Sequence, residues 1–168
     1  MTVWGAFEHP EERRPKLMLR DAWQERLNLQ QLIRLVIKTC RDHKVDTLLI
    51  EDSARGGDVR DEIGRQLGRR DIRVILLPVD TSKVARLQAC VPVFYSGVIY
   101  APERDWSDMV IRQVAAFPRG HHDDLTDTVS LAVNYLRGTG VAVRAPEYDE
   151  DLIEARRFRR KPAAVYDV

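Results

Sequence analysis

Several things are scarce in this sequence, and each shortage narrows what it encodes. Cysteine occurs twice, at Cys40 and Cys90, too few for a disulfide framework or a structural zinc site. Both cysteines fall inside apolar helical spacing and read as buried thiols of a reducing compartment. No apolar run approaches the roughly 20 residues of a membrane span. Residues 1–10 lack the charged-then-apolar layout of a signal peptide, so the expectation is a soluble, cytoplasmic protein with no membrane contact. Net charge is almost nil: 27 Lys and Arg stand against 26 Asp and Glu, leaving +1. Bulk charge therefore cannot grip nucleic acid, and any such binding has to come from local clusters. No GxxxxGK[ST] phosphate loop is present, and Gly56-Gly57 alone is a weak phosphate signal.

The 168 residues, 44% of them hydrophobic, suffice for one sizeable core and fall short of two full domains. Residues 2–8 and 17–23 are aromatic- and branched-rich runs joined by a polar stretch with two prolines, which predicts a β-hairpin with a long loop. Leu17, Leu19, Asp21 and Trp23 share one face of its second strand. Leu29, Leu32, Ile33, Val36, Ile37 and Cys40 recur at spacings of three and four, an amphipathic helix starting near Asn28. VDTLLIE is apolar without alternation and ends on acid, as suits a strand covered on both faces. Ser53 to Gly57 reads as a flexible turn. Helices are expected over 58–69, 81–95, 106–116 and 122–137, and strands over 72–78 and 97–100. In the 81–95 helix Val84, Leu87 and Val91 are expected to face inward, and Pro92 to kink or end it. Hairpin first and strand–helix alternation afterwards indicate an α/β domain around a mixed β-sheet flanked by helices. That domain covers 1–140. A charged C-terminal tail, 141–168, carries an acidic block (EYDED) and then a basic run, Arg156 to Lys161. The run could touch a nucleic-acid backbone, although a charged disordered tail is the commoner meaning of such composition.

Chemistry concentrates in two acidic segments. Asp123, Asp124 and Asp127 stand in the first turn of the last helix, and Asp123 and Asp127 share a face. Helix capping and the macrodipole favour acids there, and taken alone that explains them best. Three acids within five residues nevertheless repel one another more than one cap requires, unless a cation sits among them. Glu51 and Asp52 end a buried strand, where open α/β sheets place their ligand sites. Two carboxylate groups from distant segments suggest a hard cation such as magnesium or manganese. Paired metals of this kind support phosphodiester hydrolysis. His121 and His122 are adjacent and project apart, so a zinc pair is not expected. Lys83 and Arg86 share a face at a helix start. They either hold a DNA phosphate near the acids or form a solvated helix face.

The ordered set IEDSARGG, LPVDTSKVARLQACVPVFYSGVIYAP and FPRGHHDDLTDTVSLAVNYL resembles the C-terminal nuclease domain of phage large terminase subunits, over roughly residues 2–137. The resemblance implies a ribonuclease H-like fold with two divalent metal ions, Mg or Mn, cutting double-stranded DNA as concatemers are packaged. It implies other terminase subunits and the portal as partners. Glu51 then matches the family's acid at the end of its fourth strand, and Asp123 and Asp124 match the acids opening its final helix, with Asp127 a turn on. Either Asp123 or Asp124 can be the principal ligand, and Asp124 is preferred. The chain departs from the pattern in one respect. The family carries a further catalytic Asp on its first strand, whereas here the sequence opens on Met1-Thr2-Val3-Trp4, where the second strand is expected, with no acid before Glu8. A fragment, a late start or a degenerate gene each account for this. Asp21 is the nearest substitute by position. A missing central strand leaves two inner edges that invite pairing with another copy, unless the hairpin slides to close the gap. A catalytically silent remnant that binds DNA or a protein partner is the main alternative. A ribonuclease H-like resolvase or recombinase domain is the third.

Overall fold

A computed structural model describes residues 1–12, 15–52, 56–67 and 72–141. The chain begins with a hairpin of β1 (Thr2–Glu8) and β2 (Pro15–Ala22), paired antiparallel. Its register slips between Val3 and Trp4, where Arg20 is passed over and bulges out of the ladder. α1 (Leu29–Asp42) follows. Asn28 caps it through a reciprocal box: its side chain accepts from the Gln31 amide, and the Gln31 side chain accepts from the Asn28 amide. β3 (Thr47–Glu51), α2 (Gly56–Leu67) and β4 (Arg73–Leu77) form a strand–helix–strand unit with β3 and β4 parallel. α3 (Lys83–Tyr95) is capped by Ser82 and runs on through Pro92 for three more residues. Gly97, at φ 67°, then turns the chain into β5 (Ile99–Tyr100), a left-handed position that glycine takes without strain. α4 (Asp105–Ala116) and α5 (Asp124–Gly138) complete the described elements.

The architecture is mixed α/β, as the strand–helix order predicts, with five helices among the described residues. The sheet is in two pieces. β1, β2 and β5 form one, with β5 parallel to β2, and β3 and β4 form the other. Each piece has its own core. Leu17, Leu19, Cys90, Val93, Leu125, Val129 and Val133 pack against the hairpin sheet. Ile33, Ile37, Cys40, Leu48 and Ile63 pack around β3. Ile63 is fully buried, which is worth about 2 kcal/mol. α5 contacts both β1 and β3 and bridges the two pieces.

Between the pieces lies a cavity of about 600 Å³. β1 and β3 line it as walls, and α1, α2 and α5 also contribute to its lining. Leu48 of β3 is buried and Leu49 and Ile50 are half-buried, and the strand borders the cavity along the edge that does not pair with β4. A correction concerns α3. Val84 and Val91 are exposed, whereas Cys90, expected alongside the inward face, is buried and is joined there by Val93. The helix is turned so that Cys90 Sγ reaches the Ser130 carbonyl on α5, and Lys83 and Arg86 reach the acids at the start of that helix. Both cysteines are fully buried, as expected. Most of the proposed flexible turn (Ser53 to Arg55) and the tail beyond Val141 lie outside the described residues.

Candidate functional site

α5 opens with the acidic segment. Asp123 occupies the N-cap position but makes no side-chain cap there, so capping is not what its carboxylate does. Its Oδ2 instead accepts from Lys83 Nζ at 2.7 Å. The same ammonium lies 2.7 Å from Asp127 Oδ2, so Lys83 bridges two acids one helical turn apart. Arg86 NH2 donates to Asp127 Oδ1 at 3.0 Å and NH1 to the Thr81 carbonyl. The repulsion between crowded carboxylates is thus relieved by two cations of α3, spaced three residues apart so that both reach α5. Hydrogen bonding to Lys83 lowers the Asp123 pKa, and hydrogen bonding to Asp123 and Asp127 raises that of Lys83.

Asp124 is exposed and faces another partner. Gln24 Nε2 donates to its Oδ2 at 2.6 Å, Gln113 Nε2 donates to Gln24 Oε1 at 2.6 Å, and Gln113 Oε1 accepts from the Leu125 amide. A glutamine on α4 therefore does the work of a cap for α5, and a relay of two amides fixes Asp124. Sequence reasoning missed both glutamines, since neither lies in a motif and they are distant in sequence. The Met1 ammonium is nearby. Burial lowers its pKa, opposed by the negative charges of Asp124 and Asp21, and it donates to the Trp23 carbonyl.

Glu51 ends β3 at the rim of the cavity, and Asp127 lines the same cavity. The structure thus puts Glu51 of β3 and Asp127 of α5 along a single concavity, with the Asp127 carboxylate itself held by Lys83 and Arg86, which do not line it; Asp123 and Asp124 do not line it either. Gly56 helps set this end of β3: a Cβ there would collide with the Glu51 carbonyl oxygen, so α2 packs onto the strand end only with glycine. Asp21 is taken up elsewhere. It accepts from the Ala22 amide and pairs with His43 Nε2 at 3.0 Å, and it does not line the cavity. His121 and His122 are exposed.

The oxygen donors suit a hard cation in kind. Among the described residues no three Asp, Glu, His or Cys side chains are grouped so as to hold a metal ion. Two carboxylates are instead engaged by Lys83 and Arg86. No described helix is long and apolar enough to cross a membrane. The chain matches no family model, and no curated protein or solved structure is significantly similar to it.

Proposed function

We propose that this chain is a ribonuclease H-like endonuclease domain of the large-terminase kind, cutting concatemeric double-stranded DNA during genome packaging with two divalent ions, Mg or Mn. One observation carries the reading: Glu51 at the end of β3 and Asp127 on the first turn of α5 border one cavity, and Asp123 and Asp124 open that same helix. The two-piece sheet supports it as well, since the cavity between β1 and β3 leaves room for the further strand that this fold places there. Glu51 and Asp124 are the proposed metal ligands, with Asp123 and Asp127 assisting. Lys83, half exposed, and Arg86 are the proposed contacts to a DNA phosphate. The described acids do not make up a full ligand set, so the reading requires further oxygen donors at the gap. Other terminase subunits and the portal are the proposed partners, and the host cytoplasm the location. The test is manganese-dependent nicking of supercoiled plasmid by the folded chain, abolished by Asp124→Asn and by Glu51→Gln. A folded chain that leaves plasmid intact at high manganese refutes the active enzyme.

The second reading, a catalytically silent remnant that binds DNA or a partner, is favoured by the engagement of Asp123 and Asp127 with Lys83 and Arg86. Salt-dependent DNA binding without metal-dependent cleavage selects it.

A further inference from the structure

The gap between β1 and β3 has the dimensions and chemistry of a missing strand. In β3 the hydrogen bonds to β4 use the Asp46 carbonyl and the Asp52 amide, so by alternation Leu48 and Ile50 also face β4. The amides of Thr47 and Leu49 therefore point the other way, into the gap, where no described residue pairs with them. On the opposite wall Met1 exchanges hydrogen bonds with Trp23, which turns the Thr2 amide away from β2. The helices add apolar side chains, including Val36 of α1, Ile63 of α2 and Leu131 of α5. The cavity follows α5 from Asp127 to just past its end at Val141. At about 1.5 Å per residue that is roughly 20 Å, the length of about six residues of strand.

We propose that the chain's own last six residues, Ala163–Val168, dock in this gap as a β-strand parallel to β3. Val141, the last described residue, itself lines the cavity at the end remote from Asp127, so the remaining chain starts at the mouth of the groove. Residues 163–168 are the longest stretch after Val141 free of Lys, Arg, Glu and Pro. Ala-Ala-Val-Tyr-Asp-Val is apolar on both faces except at Asp167, as a strand between helices must be. Pro162 precedes it, a position that proline tolerates at a strand start. Entering at the Val141 end, the strand runs toward the acidic rim and delivers Asp167 there, beside the Met1 ammonium. Being tethered, the segment also outcompetes a free strand of equal affinity. The docking does not depend on catalysis, and plasmid nicking does not decide it.

Amide hydrogen exchange on the full chain tests this, compared with Val165→Asp. Leu48 and Ile50, which face β4, report that the fold is intact in both. The expected result is that Thr47 and Leu49 exchange at least about tenfold faster in the variant, and that adding a free Ala-Ala-Val-Tyr-Asp-Val peptide slows them again. Should Val165→Asp unfold the chain, the unmodified protein decides: nuclear Overhauser contacts from the Tyr166 ring to cavity-lining methyl groups are expected. Fast exchange of Thr47 and Leu49 in the unmodified chain overturns the proposal. So does protection that survives the substitution or that rises with protein concentration, which would signal a different strand or a second copy.

Discussion

Substituting Asp127 by Asn, alone and together with Arg86→Met, tests how the site is held. The Arg86 side chain is 11% exposed and that of Asp127 19%, with 3.0 Å between charged atoms. At an effective dielectric constant of about 20 the attraction at such separation is about 4–6 kcal/mol. Desolvation of two largely buried ions takes back most of it, leaving an expected coupling of about 1–2 kcal/mol. Asp127→Asn costs more than that coupling, because it strands a guanidinium whose Nε already has no partner among the described residues. The expected loss is about 2–3 kcal/mol, or about 5–10 °C in Tm for a chain of this length. Arg86→Met costs less, since Lys83 still holds Asp127. Urea denaturation of the two single variants and the double variant gives the cycle. Effects that add to within about 0.3 kcal/mol would refute the pairing, and with it the account of how the acids tolerate one another.

Gly56→Ala is expected to destabilise by about 1–3 kcal/mol, because its Cβ meets the Glu51 carbonyl oxygen, whereas Gly57→Ala next to it meets open space and should be neutral or slightly stabilising; equal effects in urea denaturation would contradict the packing. The lowered Asp123 pKa and raised Lys83 pKa mean that the bridge is fully formed above the ordinary Asp value, near 4, and below the ordinary Lys value, near 10.4. It is lost as pH falls through the lowered Asp123 value or rises through the raised Lys83 value. Stability measured below pH 4 should therefore fall less steeply in Lys83→Met than in the unmodified chain, and identical slopes would count against the bridge. Burial pushes both thiols up to about 11, so a disulfide reagent at pH 8 should label neither Cys40 nor Cys90 until the protein is denatured; rapid labelling of the native chain would show the cores to be open.

Local features of this fold were legible in the sequence. α1 announced itself through a clean apolar stripe from Leu29 to Cys40 that starts near Asn28, and the box with Gln31 came to light in the structure. The acids at the end of β3 and the start of α5 were equally visible. What escaped depended on contacts between distant segments. Periodicity placed Val84 and Val91 inside, since a branched apolar residue looks like core, but the rotation of α3 is set by Asp123 and Asp127, some 40 residues on. The unpaired edge of β3 left no mark in its composition, because apolar content reports which faces are covered and not which edges are paired. The Gln24–Gln113 relay left no local trace, because an amide pair acting on a helix start from two other elements has no spacing rule.

The division of the sheet has a mechanical consequence. No ladder of backbone hydrogen bonds runs from the hairpin to β3, so among the described elements the two halves are joined by packing along α5 and by side-chain bonds from the hairpin to α1 and the residue after it, Trp23 to Thr39 and Asp21 to His43. Packing of that kind slides at lower cost than a ladder shears. Glu51 belongs to one half, whereas Asp124 is held by Gln24 and Gln113, next to the other. The separation of these acids is therefore set by contacts across the seam and not by a shared backbone ladder, and whatever bridges the seam sets the geometry of the site.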